Sequence, residues 1–226
     1  MTELILALDT PDAKSALAIL DRVGAAQWVK VGSILFVREG PAFVRALVDR
    51  GLDVFLDLKW HDIPNTVSGA VANARDLGVR MATVHTLGGV EMMAGAANAA
   101  GADVDIIGVT VLTSHTAASF GEATGRPAPD LTDDAIRLSR NALEAGLAGV
   151  VCSPFEAQGV RTAIGEGPLI VVPGIRRAGD GLGDQNRTAT PTDAKAAGAS
   201  HLVVGRPVLQ AKDPAAVWAE LSYGLE

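Results

Sequence analysis

Eight short apolar runs recur along the chain, at 4–8, 28–31, 54–58, 81–84, 106–109, 149–151, 169–172 and 202–204, most of them about 25 residues apart. Most are continuous rather than alternating, as expected of strands covered on both faces. Between them lie helix-like segments at 15–22, 41–50, 67–77, 91–100 and 131–145, followed at once or closely by Gly24, Gly51, Gly78, Gly101 and Gly146. Glycine just past a helix accepts the left-handed conformation that stops it and turns the chain back. Thr132 and Asp133 stand near the start of the fifth segment, where polar side chains cap free amides. Repeated strand–helix–glycine–strand units call for right-handed crossovers and a parallel sheet.

Eight such units close into a (β/α)8 TIM barrel, an α/β fold with no edge strand to protect, and residues 1–226 are expected to form a single domain. The competing arrangement is an open, doubly wound sheet. Its dinucleotide fingerprint is missing, because the first strand runs into Leu8-Asp9-Thr10-Pro11 rather than a Gly-x-Gly-x-x-Gly turn. Aromatic residues make up only 4% of the chain against 48% apolar residues and 25 glycines, a mixture that suits buried strands under alanine-rich helices.

Charge and cysteine content narrow the function. A formal charge of −7 disfavours a broad nucleic-acid contact, although a small basic pocket could still hold one phosphate. Cys152 is the only cysteine, so neither an intrachain disulfide nor a cysteine-built zinc site is available, and its place in an apolar run reads as core. The chain meets Glu3 at once, without a basic and then apolar leader, and has no charge-free run of about 18 apolar residues. A cytoplasmic protein without membrane contact is expected.

Two strand-to-helix connections are long, residues 110–130 and 173–191, and loops of that length are commonly functional. The second contains four glycines and three arginines in PGIRRAGDGLGDQNRTATP and reads as a mobile cover over a ligand. The segment after the third strand reads Asp57-Leu58-Lys59-Trp60-His61-Asp62-Ile63-Pro64-Asn65-Thr66. Strand periodicity puts Asp57 and Lys59 on one side and Leu58 on the other, with Asp62 where the chain turns back over the barrel mouth. An Asp–Lys–Asp group keeps the ammonium charged against desolvation and fixes its protons in place. A structural ion-pair network is the plain alternative. Its position favours chemistry, since reactive groups of barrels collect at the C-terminal strand ends. Asp9, Lys30 and His85 belong to that same end, and Lys30 is placed to pair with Asp57 or Asp9.

The last strand leads into Gly205-Arg206-Pro207-Val208. Gly205 permits close backbone approach, Arg206 offers a guanidinium fork, and Pro207 suits the start of a short helix. Barrels often hold phosphate beside strands seven and eight, and Gln185 and Arg187 from the preceding loop could close over the same anion. Metal binding is the rival use of Asp57 and Asp62, but Lys59 between them competes with a cation. The four histidines, His61, His85, His115 and His201, match no recognised zinc spacing. A phosphate-binding enzyme with a lysine proton donor is the reading from the residues alone, with the reaction type open.

DLKWHDIPNTV at 57–67 resembles the signature of the orotidine 5′-phosphate decarboxylase family. The resemblance continues in LALD at 6–9, VKVG at 29–32, TVHTLGG at 83–89, VTVLTS at 109–114, PGIR at 173–176, DQNRTATP at 184–191 and VGRPV at 204–208. It implies decarboxylation of orotidine 5′-phosphate to UMP, the last step of UMP synthesis, with neither metal nor other cofactor. By that resemblance Asp57 faces the departing carboxylate, and Lys59 stabilises the charge at pyrimidine C6 and delivers the replacing proton. Lys30 orients Asp57 and contacts the ribose, and Asp9 binds a ribose hydroxyl. Thr113 reads the pyrimidine edge, Pro173 lines the base pocket, and Gln185 and Arg206 hold the phosphate. Asp62 and Thr66 come from the partner subunit, so the resemblance implies a homodimer whose sites are completed across the interface. Trp60 and Leu87 are local departures that replace no charged group. The alternatives are a magnesium-dependent sugar-phosphate lyase or decarboxylase similar to 3-hexulose-6-phosphate synthase, and a non-catalytic phosphate-binding protein. The continuation Ile63-Pro64-Asn65-Thr66 separates this chain from the former.

Overall fold

Eight parallel strands pair in sequence order, and the first pairs with the last to close a barrel. The structure is a computed structural model and describes residues 2–177 and 188–225. The strands are β1 (Glu3–Ala7), β2 (Trp28–Gly32), β3 (Asp53–Trp60), β4 (Met81–His85), β5 (Asp105–Val109), β6 (Gly149–Val151), β7 (Leu169–Val172) and β8 (His201–Val204). The helices are α1 (Ala13–Val23), α2 (Ser33–Asp49), α3 (Pro64–Asp76), α4 (Gly89–Ala100), α5 (Ala117–Thr124), α6 (Leu131–Glu144), α7 (Pro154–Ile164), α8 (Pro191–Ala196), α9 (Arg206–Leu209) and α10 (Pro214–Tyr223). Among the described residues, no helix is long and apolar enough to cross a membrane.

Alternation along each strand divides the apolar side chains into two cores. Outward residues such as Leu4, Leu6, Val54, Leu56, Ala82 and Val84 pack with the helices. Inward residues Ile5, Ala7, Phe55, Met81, Ile107, Val171 and Val203 form a separate cluster inside the barrel. Leaving water contributes about 1.5–3 kcal/mol for each fully buried Val, Leu, Ile, Phe or Met side chain, so the strands are held on both faces.

The expected glycine stops appear as predicted: Gly24, Gly51, Gly78, Gly101 and Gly146 all have positive φ. Other boundaries differ for local reasons. The helix expected at 41–50 begins at Ser33, and two helical pieces meet at Gly40 (φ 69°, ψ −168°). Pro41 disfavours a helical residue before it, and glycine supplies the turn that lets the chain resume. The cap of α6 is Asp130, whose carboxylate accepts from the amides of Thr132 and Asp133 at 2.8 and 3.1 Å.

The connection at 110–130 is not an open loop. It contains α5, capped by reciprocal bonds between Thr116 and Ser119. Val111 and Phe120 pack with Leu138 of α6. Beneath them the buried Asp134 carboxylate receives Arg126 and, at 2.8 Å, Arg137. Burial alone would raise the Asp134 carboxyl pKa; hydrogen bonds from Arg137 and Arg126 outweigh it and hold the group below its usual range. The ends of the second long connection are tied by a bridge between Ile175 and Ala189, with the Arg176 amide donating to the Ala189 carbonyl at 3.0 Å. Gln185 and Arg187 lie outside the described residues.

The β6–β7 pairing leaves no room for a side chain at Gly149, where a Cβ would stand 2.1 Å from the Leu169 carbonyl oxygen. That oxygen cannot yield without breaking the ladder. Gly149→Ala is expected to cost about 3 kcal/mol and to lower Tm by roughly 6–12 °C. Gly167→Ala, at an exposed bend with no atom within 4 Å, is the control and should leave Tm nearly unchanged. Equal melting temperatures for the two variants would contradict the close β6–β7 packing.

Candidate active site

The barrel's inward alternation turns from apolar to polar at the C-terminal strand ends. Two residues beyond Ile5, Phe55, Met81, Val171 and Val203 stand Ala7, Asp57, Thr83, Pro173 and Gly205. One further step brings in Asp9, Lys59 and His85. These strand ends surround a cavity of about 560 Å³, within the range of small-ligand sites. Ala7, Phe55, Val109, Val151, Val171 and Val203 form apolar lining, while Asp9, Lys30, Asp57 and Lys59 place charge on the same cavity.

Those four charged residues form one alternating chain. Lys30 Nζ lies 3.0 Å from Asp9 Oδ1 and 3.4 Å from Asp57 Oδ2, and Lys59 Nζ donates to Asp57 Oδ1 at 2.7 Å. Lys30 therefore pairs with both of its expected partners. Thr83 completes the group: its hydroxyl donates to Asp57 Oδ1 at 3.0 Å and accepts the Lys59 amide at 2.9 Å. Lys59 has φ 52°, one of two non-glycine residues with positive φ among those described. Such backbone is costly for a side chain with a Cβ and is sustained only where its surroundings impose it.

The electrostatics follow from burial and pairing. Burial opposes the charge on Lys30, but Asp57 and then Asp9 outweigh it and raise the ammonium above its ordinary pKa. Burial likewise opposes the Asp57 carboxylate, but Lys30, Lys59 and the bonds from Lys59 and Thr83 hold it below its ordinary value. The depressed Asp57 contributes stability above its unfolded value, and this is lost as pH falls through the folded one. The raised Lys30 contributes stability below its unfolded value, and this is lost as pH rises through the folded one. Both contributions are present at neutral pH. His85 at the end of β4 stacks on His61, with ring centroids 5.5 Å apart. Burial, with His61, Lys59 and His115 nearby, pushes its pKa down to about 4 and leaves the ring neutral at pH 7.

The remaining expected residues divide into two groups. Thr113, Pro173, Gly205 and Arg206 line the same cavity as the charged chain. Asp62 and Thr66 do not: both are exposed, and the Asp62 carboxylate accepts from the neighbouring Ile63 amide at 2.7 Å. Among the described residues the carboxylate paired with Lys59 is Asp57, so the Asp–Lys–Asp group is not formed within one chain. Gln185 lies outside the described residues. Sequence reasoning missed Thr83 and the buried, cavity-lining Arg176, although both stand in segments it had singled out, TVHTLGG and PGIR. The inward period from Met81 marks Thr83 as a rim position.

The profile of the orotidine 5′-phosphate decarboxylase / HUMPS family matches residues 2–221. The chain is 52% identical over 229 aligned residues to orotidine 5′-phosphate decarboxylase of Alkalilimnicola ehrlichii, covering 99% of this chain and 96% of that protein. It is 49% identical to the enzyme of the same name from Anaeromyxobacter sp. strain K, with 97% and 96% covered. The crystal structure of orotidine 5′-phosphate decarboxylase from Lactobacillus acidophilus superposes with a TM-score of 0.88 at 33% identity, covering 100% of both chains. The charged strand ends and the eight-stranded barrel thus sit in a sequence that belongs to the orotidine 5′-phosphate decarboxylase / HUMPS family.

Proposed function

We propose that this chain converts orotidine 5′-phosphate to UMP and carbon dioxide, with Lys59 as the proton donor and no metal or other cofactor. The alternating Asp9–Lys30–Asp57–Lys59 chain on one side of an apolar cavity carries this reading. Breaking the bond between pyrimidine C6 and the carboxylate releases carbon dioxide and leaves its electron pair on C6. No adjacent carbonyl delocalises that pair, so a fixed cation beside the carbon is the stabilisation available. A proton then passes from Lys59 Nζ to C6.

Asp57 faces the substrate carboxylate and disfavours it before cleavage, while holding the Lys59 ammonium in place at 2.7 Å. Lys30, locked between Asp9 and Asp57, fixes the carboxylate and meets the ribose, and Asp9 binds a ribose hydroxyl. Thr113 and Pro173 hold the base. Gly205 and Arg206, with Gln185, receive the phosphate, whose binding energy positions the base for reaction. The absence of a metal from this scheme is supported by the donor set, since both Asp57 oxygens already receive ammonium groups. In a homodimer Asp62 and Thr66 reach the neighbour's cavity. Their exposure, with the exposed apolar side chain of Ile63 next to Asp62, supports that arrangement.

Incubation with orotidine 5′-phosphate in EDTA should shift the pyrimidine absorption from that of the substrate to that of UMP without added metal. A folded protein that does nothing, or that requires magnesium, would defeat the proposal. Lys59→Ala should keep its fold and phosphate affinity yet lose about 100- to 10,000-fold in kcat, the range for a positioned proton donor. Sedimentation and activity measured over a dilution series should show turnover falling as dimer dissociates; a fully active monomer would remove Asp62 and Thr66 from the site.

A further inference from the structure

The Thr83 hydroxyl is buried and does not line the cavity, yet it is bonded to both residues that the proposed reaction uses at C6. Its place in the sheet explains why. In the β3–β4 ladder Leu56 faces Ala82 and Trp60 faces Val84, so four residue steps along β3 match two along β4. Extra residues in one strand of a pair bulge and lose their regular backbone partners. The Lys59 amide lies within this bulge, and its bond goes to a side chain, Thr83 Oγ1, at 2.9 Å. The same oxygen donates its own hydrogen to Asp57 Oδ1 at 3.0 Å, the oxygen that also receives Lys59 Nζ at 2.7 Å.

We infer that Thr83 is a positioning residue, whose hydroxyl replaces the missing ladder acceptor and holds Lys59 in its left-handed backbone with the ammonium against Asp57. A hydroxyl is one of few groups able to do both tasks at once, because it accepts from one side and donates to the other. Without it the Lys59 amide loses its acceptor and Asp57 loses a donor, and Lys59 can relax toward an extended conformation. The consequence for rate rests on the decarboxylation reading; the consequence for geometry does not.

Thr83→Val removes the hydroxyl with little change of shape, and Thr83→Ser restores it. With orotidine 5′-phosphate, Thr83→Val is expected to lower kcat by about 10- to 100-fold while KM changes by less than about threefold, as for misplacement of a reacting group rather than loss of binding. Thr83→Ser should return kcat to within about threefold of the parent. Crystal structures of the parent and Thr83→Val should show Lys59 leaving positive φ in the variant, a result that stands whether or not the parent turns over this substrate. If Thr83→Val does not fold, Thr83→Ala is compared with Thr83→Ser in the same measurements. A folded variant lacking the hydroxyl but keeping the parent's kcat or its Lys59 backbone, or a serine variant as slow as the valine or alanine one, would overturn the assignment.

Discussion

Closing a parallel sheet on itself forces the inward side chains of all eight strands toward one axis. Each strand contributes every second residue there, so the interior is filled in layers, and a change of chemistry along the strands becomes a change of chemistry along the axis. The lower layers hold Ile5, Phe55, Met81, Ile107, Val171 and Val203. The layer above contains Lys30 and Asp57, side chains that an apolar interior rejects unless they are paired. Lys30 and Asp57 therefore lie where the C-terminal strand ends surround the cavity.

Within that opening the charges depend on one another. A lone buried ammonium at Lys30 would be driven toward its neutral form; Asp57 and Asp9 reverse that tendency. Asp57 in turn is held ionised by two ammonium groups and a hydroxyl. Such an arrangement spends stability on geometry, because burying ions contributes less than packing apolar groups of the same size. Its return is preorganisation: Lys30, Asp57 and Lys59 sit on strands, with Asp9 two residues beyond β1, and need not reorient when charge develops in a bound substrate. The bulge after Leu56 adds the last element, a lysine whose backbone departs from the strand and whose ammonium meets Asp57.

The opposite side of the cavity is built differently. Thr113 belongs to the connection after β5, which holds its own helix and is anchored on α6 by Asp134 through Arg126 and by Phe120 against Leu138. Pro173 begins the connection after β7, whose ends meet at Ile175 and Ala189. Gly205 stands 3.7 Å, through an added Cβ, from Asp9 Oδ2, so the first and last strands bring the glycine–arginine corner close to the charged chain.

Much of this was legible in the residues. The apolar runs and their glycine stops define the order of strands and helices, since a helix that ends on a left-handed residue must return to the sheet. Asp57, Lys59, Asp9 and Lys30 were readable as a group because period-two alternation and strand-end position are local properties. Other features were not local. The helix from Ser33 is hidden by a Gly40–Pro41 junction that resembles a break, and α5 lies in a segment without a strong apolar period. Thr83 looked like any strand threonine until the register of β3 against β4 placed its hydroxyl under the Lys59 amide. Sequence alone determined which charges the chain carries to the barrel mouth. Only the tertiary structure decided their pairing, left Asp62 and Thr66 outside their own chain's cavity, and gave Lys59 its left-handed backbone. Pairing depends on distances across strands, and those are set by closure and register rather than by neighbours in the chain.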